Sequence, residues 1–392
     1  MSTPPSHAAK DAATVGVLGN GQLGRMLALA GLPLGLRFRF FDPAPDAPAC
    51  AAGACVLAPF DDLAAADRFA RGLTVCTYEF ENVPAALARH IERAVPVRPG
   101  PLALDVSQDR LAEKSLFRTL NIPTPAFLPI DSLDDLRAGI ASVGLPGVLK
   151  TRRGGYDGKG QQVLRKPEDL QPAFASLTAG LAQDAGGARS AGLILEAFVP
   201  FTRELSVIAV RSTKGQVAFY PLTLNTHQSG ILHTSFAPLS PLSPEMESTA
   251  HGYARAIMEH LDYVGVMALE LFDHNGRLLA NETAPRVHNS GHWTIDGCVT
   301  SQFENHLRAI MGWPLGSTEA LGACAMINIV GQSPPTEALA SLAGARLHLY
   351  DKAPRPGRKL GHINFVERSE ADLHARVNAA LDLLARSRSG GA

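Results

Sequence analysis

The chain has 392 residues, of which 46% are hydrophobic, and a formal net charge of −1. This length exceeds one compact core, so we expect an ordinary globular protein of two or three domains. The near-neutral charge argues against a general nucleic-acid or membrane-surface binder, and no stretch approaches the ~20 apolar residues of a membrane span.

The N-terminal segment MSTPPSHAAKDAA lacks the apolar centre of a secretion signal. We therefore expect residues 1–13 to form a disordered tail and the protein to be cytoplasmic. The cysteines are odd in number and include no C-x-x-C pair, which favours free buried thiols over a disulfide framework or a zinc site. They are Cys50, Cys55, Cys76, Cys298 and Cys324.

Residues 14–110 alternate short apolar runs with helical patterns. We expect strands in TVGVLG, LRFRFFD, ACVLA and LTVCTYEF, and helices in GQLGRMLALAGLPLG and VPAALARHIERA. Such alternation predicts a doubly wound parallel sheet. The segment PVRPGPLALDVSQDR then breaks the rhythm with three prolines and marks a domain boundary.

The first strand leads into a glycine-rich segment, VGVLGNGQLGRML, which begins at Val15. Gly19, Gly21 and Gly24 fit the spacing G-x-G-x-x-G, and Asp42 ends the next apolar run. Taken alone, this pattern is the fingerprint of a nicotinamide or flavin dinucleotide site and predicts an oxidoreductase.

The second region, residues 111–312, begins with a helical pattern in AEKSLFRTLN and a strand–loop–strand unit in GVLKTRRGGYDGKGQQVL. More strands are expected in LILEAFVPFTRELSVIAVRSTKGQVAFYPLTLN, followed by a hairpin in VMALELFDHNGRLLANETAP. Residues 313–392 add a few strands and a final helix near ADLHARVNAALDLLARS.

The loop GGYDGKGQ, residues 154–161, is a candidate phosphate site. Its glycines let backbone N–H groups approach a phosphate, and Lys150 and Lys159 add positive charge. It is not a Walker loop, because G-x-x-x-x-G-K-[ST] is absent. A flexible hairpin tip is the alternative interpretation.

The hairpin carries Glu270 on one arm and Glu282 on the other. A two-residue turn at Asn275-Gly276 would pair Glu270 with Asn281 and place the glutamates on opposite faces, whereas a three-residue loop would place both on one face. On one face, at a diagonal spacing of roughly 7–8 Å, the carboxylates suit magnesium and substrate phosphates. The metal site therefore requires the three-residue loop, and an exposed sheet face is the alternative.

The segment NETAPRVHNSGHWT, which follows the second arm, has the composition of a binding loop and contains Arg286, His288 and Asn289. The spacing of His288 and His292 also raises the hypothesis of a zinc site, which Gly291 disfavours because a helix there is doubtful.

The segment YDKAPRPGRKLGH, residues 350–362, concentrates Lys352, Arg355, Arg358 and Lys359 in a chain of neutral charge. Such a cluster indicates a phosphomonoester site. A solvated basic loop is the alternative.

The chain resembles the ATP-grasp enzymes in the order of its motifs, which are Lys150, GGYDGKGQ, LEAFV, Glu204, LELF and NETAPRVHNSGHW. Within them it is similar to the N5-carboxyaminoimidazole ribonucleotide synthases, ATP-dependent carboxylases of purine biosynthesis, from about Val15 to Phe365. The discriminating parts are APRVHNSGHWT and RPGRKLGH.

The resemblance implies a mixed α/β fold with three domains. A Rossmann-like, doubly wound parallel-sheet domain spans residues 14–110, and a central ATP-grasp domain spans 111–312 with a lid over about 130–200. A small C-terminal domain, 313–392, would complete the active site. A homodimer is implied, and no nucleic acid or membrane is expected as a partner.

The implied reaction is the ATP- and bicarbonate-dependent carboxylation of 5-aminoimidazole ribonucleotide through carboxyphosphate, with Mg²⁺ as cofactor. The residues that the resemblance assigns to ATP are Arg110, Lys150, Gly155, Tyr156, Asp157, Gly158, Lys159, Gly160, Gln161, Glu196, Ala197, Phe198, Val199, Glu204, His227, Asn281 and Glu282. The residues that it assigns to the ribonucleotide are Asn20, Gly21, Gln22, Leu23, Glu79, Glu81, Lys352, Arg358 and Lys359.

The residues that we expect at the reaction centre are Tyr156, Asp157, Arg286, His288 and Asn289, with Glu270 and Glu282 holding magnesium. Asp157 is our hypothesis for the base that removes the amine proton. In this family the N-terminal glycine-rich loop faces the ribonucleotide and binds no dinucleotide. The rival functions are a nicotinamide-dependent oxidoreductase, a non-catalytic nucleotide-binding module, and another ATP-grasp ligase with a different acceptor amine.

Overall fold

The computed structural model describes residues 12–45, 47–155, 160–184 and 192–389, without the side chains of 182–184 and 388–389. Residues 1–11 of the expected tail lie outside this description. None of the described helices is both long enough and apolar enough to cross a membrane.

The strands of the described residues run in chain order as follows: β1 Thr14–Leu18, β2 Arg37–Asp42, β3 Ala54–Leu57, β4 Val75–Tyr78, β5 Phe127–Ile130, β6 Gly147–Thr151, β7 Gln161–Leu164, β8 Leu193–Ala197, β9 Arg203–Arg211, β10 Val217–Phe219, β11 Thr223–Gln228, β12 Ile231–Ala237, β13 Gly265–His274, β14 Arg277–Ala284, β15 Ala323–Val330, β16 Arg346–Leu349 and β17 Lys359–Glu367.

The α-helices are α1 Gln22–Gly31, α2 Leu63–Ala70, α3 Ala85–Glu92, α4 Pro101–Ser107, α5 Arg110–Thr119, α6 Leu133–Val143, α7 Leu170–Asp184, α8 Pro244–His260, α9 Thr294–Gly297, α10 Gln302–Ile310, α11 Thr336–Ala340 and α12 Glu370–Ser389. Short 3₁₀ turns occupy Leu32–Leu34, Pro48–Ala51, Pro167–Asp169 and Asn289–Gly291.

The N-terminal sheet confirms the expected parallel architecture. Its four strands lie in the order β3-β2-β1-β4 and all pair in parallel. Strands β1 and β4 are buried on both faces, with every residue of β4 buried, whereas the edge strand β3 is partly exposed. Helices must therefore cover both faces, which is what the alternating sequence pattern predicts.

A second sheet, which we name the lid sheet, has the order β5-β8-β6-β7, is antiparallel and lies within the segment for which we expect a lid. Helices α6 and α7 pack on it, and Leu136, Leu149 and Leu195 form the centre of their shared core. The loop between β6 and β7 carries the glycine-rich segment, as the strand–loop–strand pattern predicts.

The third sheet, which we name the central sheet, has nine strands. It joins residues 111–312 to residues 313–392. Its order is β14-β13-β9-β11-β12-β15-β17-β16, with β10 paired to β9. The C-terminal strands therefore continue the central sheet, because β15 pairs with β12 from Thr234 opposite Ile327 to Ala237 opposite Cys324. This pairing covers a sheet edge that would otherwise expose unpaired backbone groups.

The expectation of five free cysteines was wrong for one pair. Cys50 and Cys55 form a disulfide, with their Cα atoms 5.7 Å apart. The 3₁₀ turn at Pro48–Ala51 folds the chain back before β3, which brings two cysteines five residues apart within the usual bonding distance. Cys76, Cys298 and Cys324 are free and buried, as expected.

His306 on α10 ties the N-terminal sheet to the central sheet. Its Nδ1 accepts a hydrogen bond from the Val266 backbone N–H at 3.1 Å, so the proton of the neutral ring is on Nε2. Nε2 then donates to the Thr77 hydroxyl on β4 at 2.9 Å. Burial lowers the pKa of His306 to about 3, because a charged ring in this position would be desolvated.

These hydrogen bonds of neutral His306 make the free energy of unfolding depend on pH. The unfolded ring binds a proton near pH 6.5, whereas the folded ring stays neutral to about pH 3. The contribution of His306 is therefore complete above the unfolded pKa and decreases as the pH falls, by ~1.4 kcal/mol per pH unit between the two pKa values.

We predict that His306→Asn reduces the loss of melting temperature between about pH 7 and pH 5. Thermal unfolding followed by circular dichroism measures it, with the exposed His260, changed to Asn, as the matched control. An equal loss in wild type and His306→Asn would contradict the assignment of the acid sensitivity to this ring.

Candidate active site

The glycine-rich loop after β1 is filled by an acidic side chain of the protein itself. The Glu79 carboxylate accepts hydrogen bonds from the backbone N–H groups of Gly21 and Gly24, the latter at 2.6 Å. A Cβ on Gly21 would lie 2.6 Å from Glu79 Oε1, so the loop needs glycine there. Glu79 thus takes the N–H donors at the start of α1 that would hold a dinucleotide pyrophosphate. This geometry speaks against the oxidoreductase interpretation.

Residues from both ends of the chain meet at this loop. The Lys352 ammonium donates to the Gln22 side-chain oxygen. Burial lowers the pKa of Lys352 and the Glu79 charge opposes this shift, so the two charges face each other. Asn20 is buried, and its amide donates to Ala44 O at 2.8 Å. The structure therefore brings together Asn20, Gln22, Glu79 and Lys352, which sequence analysis assigned to one substrate.

The basic residues that follow Lys352 lie farther apart in the structure than the single cluster predicted from the sequence. Arg358 donates to Ala353 O at 3.3 Å within its own loop. Lys359, the first residue of β17, lies close enough for its charge to act on Glu270 and His288. Lys359 therefore also faces the hairpin with the paired glutamates.

Arg286 connects the binding loop with the N-terminal domain. Its guanidinium forms an ion pair with Glu81, which follows β4. Burial acts to raise the pKa of Glu81, but Arg286 outweighs it and lowers that pKa. The loop after the hairpin is thereby held against the domain that carries Glu79 and Gln22.

The hairpin between β13 and β14 shows that the shared face of the two glutamates does not require a three-residue loop. The turn has two residues, since His274 pairs with Arg277 and both Asn275 and Gly276 have positive φ. A β-bulge nevertheless follows: Leu271 pairs with Ala280, whereas Glu270 pairs with Glu282. The extra residue, Asn281, restores the shared face that we had expected from a three-residue loop.

The two glutamates form an electrostatically unfavourable pair unless a cation compensates them. Burial and the Glu282 charge raise the pKa of Glu270 to about 8, so it keeps a proton at neutral pH. Opposed carboxylates of this kind fit Mg²⁺, which uses one or two protein carboxylates together with phosphate oxygens and water. Among the described residues, no group of three or more His, Cys, Asp or Glu side chains could hold a metal.

Two histidines lie beside this pair. His227 Nδ1 lies 2.8 Å from Glu204 Oε2. Burial acts to lower the pKa of His227, but Glu204 and Glu270 together raise it above its usual value. His288 Nε2 lies 3.5 Å from Glu270 Oε1. Burial, with Arg286, holds the pKa of His288 well below its usual range. His288 is therefore a neutral hydrogen-bonding group.

The other members of the binding loop point into the protein core. Asn289 exchanges hydrogen bonds with Asn328 at 3.1 and 2.7 Å. His292 is 1% exposed, and its Nδ1 lies 3.2 Å from the Gln302 amide nitrogen, which also donates to His288 O at 2.7 Å.

A buried acidic residue organises the nucleotide end of the predicted site. Glu196 Oε2 lies 3.1 Å from the Lys150 ammonium and 3.4 Å from that of Lys114. Burial opposes ionisation, but both lysines lower the pKa of Glu196 to about 2. Its second oxygen, Oε1, has no hydrogen-bond partner among the described residues. The side chain thus holds Lys150 while leaving an acceptor.

The segment after Glu196 is only partly available to an adenine base. The backbone N–H groups of Ala197 and Phe198 donate to Ala126 O at 2.8 Å and Pro146 O at 3.3 Å. These two donors therefore serve the lid sheet in this conformation.

Arg110 lies at the base of the glycine-rich loop between β6 and β7. Its guanidinium donates to Thr151 O at 3.1 Å and to Gly155 O at 2.9 Å. Gly160 closes the other end, accepting from Thr151 N at 2.9 Å. Our predictions for Tyr156, Asp157, Gly158 and Lys159 fall outside the described residues.

Sequence analysis missed Glu113 and Lys114 on α5. Glu113 accepts from Thr283 N at 2.6 Å, directly after Glu282, and burial together with Glu282 raises its pKa to about 7. Both side chains are almost fully buried. The only signal was their position in AEKSLFRTLN, where two adjacent charged residues precede the apolar positions Leu116 and Phe117.

Three family models match the chain. The Ribonucleotide synthetase preATP-grasp domain matches residues 12–108, the ATP-grasp domain matches 115–303, and the Phosphoribosylaminoimidazole carboxylase C-terminal domain matches 324–376.

Two curated relatives share the name N5-carboxyaminoimidazole ribonucleotide synthase. The protein of Pseudomonas aeruginosa is 50% identical over 93% of this chain and 97% of its own length. That of Brucella melitensis is 42% identical over 91% of this chain and 97% of its own length.

Solved structures agree. N5-carboxyaminoimidazole ribonucleotide synthetase from Thermus thermophilus has a TM-score of 0.87 and 51% identity, covering 93% of this chain and 96% of that one. The Aspergillus clavatus enzyme, solved in complex with ADP and 5-aminoimidazole ribonucleotide, has a TM-score of 0.87 and 29% identity over 96% and 99%. The chain belongs to the N5-carboxyaminoimidazole ribonucleotide synthases, a family of ATP-grasp ligases.

Proposed function

We propose that this ATP-dependent carbon–nitrogen ligase of purine biosynthesis uses bicarbonate to carboxylate the exocyclic amine of 5-aminoimidazole ribonucleotide. The observation that carries the proposal is the Arg286–Glu81 ion pair. It joins the loop directly after the paired glutamates to the domain that holds Glu79 and Gln22. This ion pair supports a phosphate-transfer site that is contiguous with the acceptor site.

The proposed chemistry has two steps. Bicarbonate oxygen attacks the γ-phosphorus of ATP, which forms carboxyphosphate and releases ADP. The ribonucleotide amine then attacks the carbon of carboxyphosphate, or of the CO₂ that carboxyphosphate releases together with phosphate. In either case phosphate is the leaving group and the amine loses a proton. Because carboxyphosphate is short-lived in water, the loop of residues 154–160 is proposed to close over it.

Mg²⁺, held by Glu270 and Glu282, would supply Lewis-acid stabilisation of the phosphate charge. Arg286, His288 and Asn289 are proposed to orient bicarbonate and carboxyphosphate. The Arg286 guanidinium matches a planar carboxylate, and neutral His288 can donate a hydrogen bond without repelling Mg²⁺. Asn289 stabilises the loop through Asn328. Asp157 remains our hypothesis for the base.

The nucleotide is proposed to lie between the lid sheet and the central sheet. Arg110 and Lys150 would contact its phosphates, and Glu204 with His227 would bind the ribose. The other proposed ATP residues are Gly155, Gly160, Gln161, Glu196, Ala197, Phe198, Val199, Asn281 and Glu282. The proposed ribonucleotide residues are Asn20, Gly21, Gln22, Leu23, Glu79, Glu81, Lys352, Arg358 and Lys359.

We also propose that the enzyme is cytoplasmic, because its substrate ATP is an intracellular nucleotide. We further propose that it is a homodimer, as the family resemblance implies. Light scattering on the eluting protein is expected to give twice the 41.5 kDa chain mass. A monomeric mass would remove the homodimer from the proposal.

We predict that 5-aminoimidazole ribonucleotide strongly stimulates ADP release from Mg·ATP and bicarbonate, and that Glu282→Ala lowers this rate by more than about 100-fold. The reason is the loss of one of the two opposed carboxylates. A coupled ADP assay measures the rate, with the exposed Glu259, changed to Ala, as control. If active, folded protein shows no stimulation, the acceptor amine belongs to another ATP-grasp ligase reaction.

We predict that Glu79→Gln raises the KM for the ribonucleotide about tenfold, ~1.4 kcal/mol, and leaves the KM for ATP unchanged. The amide cannot accept both N–H groups of the α1 terminus, so the loop loses its order. Steady-state kinetics with each substrate varied in turn measure the two constants. An increase confined to the KM for ATP would contradict the assignment of Glu79 to the ribonucleotide site. A change in NADH fluorescence on mixing would support the oxidoreductase function instead.

A further inference from the structure

The outer edge of β14 shows how the bulge at Asn281 is maintained. This strand is the terminal one of the nine-stranded sheet, so within the described part of the chain one of its edges has no neighbouring strand. In a regular strand, the backbone groups that face one edge belong to every second residue. Two residues three positions apart can face the same edge only if an extra residue lies between them.

Ala280 and Thr283 are such a pair, and both bind groups outside the sheet. Ala280 N donates to Pro123 O at 2.7 Å, and Ala280 O accepts from the Thr124 hydroxyl at 2.8 Å. Thr283 N donates to Glu113 Oε1 at 2.6 Å, and its hydroxyl donates to the same oxygen at 2.5 Å. The bulged residue, Asn281, lies between these two attachment points.

Lys114 closes the arrangement from the neighbouring position on α5. Its ammonium lies 3.4 Å from Ala280 O and 3.2 Å from the Thr124 hydroxyl. The same ammonium is 3.4 Å from Glu196 Oε2 on the lid sheet. Glu113 and Lys114 are 2% and 1% exposed, so these contacts are shielded from water. Adjacent residues of one helix thus hold β14 on both sides of Asn281 and Glu282.

We propose that Glu113 and Lys114 are positioning residues that lock the β14 bulge and thereby keep Glu282 opposite Glu270. The inference rests on the proposed function, because it takes these two glutamates as the magnesium pair. Without the lock, regular pairing would place Asn281 opposite Glu270 and turn Glu282 to the other face. Lys114 also links this register to Glu196 at the nucleotide end.

The test compares ADP binding in saturating Mg²⁺ with ADP binding in EDTA, by isothermal titration calorimetry. In Glu113→Ala, we expect the Mg²⁺-dependent increase in ADP affinity to fall by about tenfold or more, while affinity in EDTA stays at the wild-type value. Glu113→Gln is expected to restore most of the increase, because its amide oxygen still accepts from Thr283. Thr283→Val, which loses only the hydroxyl contact, should give a smaller loss in the same direction.

Lys114→Met is expected to weaken ADP binding in both conditions, since Glu196 loses one of its two cations. Arg118→Met, which removes a charge from the exposed face of the same helix, is the matched control and should bind as wild type. A wild-type Mg²⁺ response in folded Glu113→Ala would overturn the proposal. Equal losses in Glu113→Ala and Glu113→Gln would also overturn it, because the charge and not the hydrogen bonds would then matter.

These outcomes are separable from failure of the proposed function. The calorimetry needs only ADP and Mg²⁺, whereas the function is tested by ribonucleotide-stimulated ADP release. A chain that shows the stimulation but no Glu113 effect refutes the lock alone. A chain that shows the Glu113 effect without stimulation refutes the acceptor alone.

Discussion

The placement of two carboxylates on one face of a hairpin, with Glu270 half-buried and Glu282 exposed, is the constraint on which the rest of this site depends. Burial and the Glu282 charge raise the pKa of Glu270 to about 8, so Glu270 gives up its proton at neutral pH only when a cation compensates the pair. The proposed cation and phosphates between the side chains would make the ionised form of both carboxylates favourable. Strands, helix α5 and the lid sheet all act to hold this arrangement in place.

The contacts that hold it come from distant parts of the chain. Glu113 and Lys114 approach from α5, Lys359 from the C-terminal strands, and His288 from the loop after the hairpin. The continuous nine-stranded sheet makes this possible, because β15 and β17 extend the same surface that carries β13 and β14. A separate C-terminal sheet could not bring Lys359 to the glutamates with the same rigidity.

The N-terminal domain shows how one backbone geometry serves different chemistry. The strand, glycine-rich loop and helix are those of a dinucleotide site, and the N–H donors at the helix start are present. Glu79 takes these donors, and Lys352 from the far end of the chain faces it. A local motif specifies the loop, whereas a side chain from a neighbouring strand decides which ligand the loop can accept.

The amino-acid sequence by itself determined the element pattern, the parallel N-terminal sheet and the family. These follow from the spacing of apolar residues and from short motifs such as NETAPRVHNSGHWT, which are local properties. It also indicated which polar residues gather at the site, since Glu270, Glu282, Arg286 and His288 lie on one predicted hairpin and the loop that follows it.

Only the tertiary structure decided the register of the hairpin, the Cys50–Cys55 disulfide, and the roles of Glu113 and Lys114. The rules that relate turn sequence to turn type do not predict this bulge, because its stabilising contacts come from a helix some 170 residues away in sequence. Likewise, a buried charged pair on a helix carries no local signature of its partners. The physical reason is that hydrogen bonds and ion pairs of buried groups are made across the fold, where sequence spacing gives no distance.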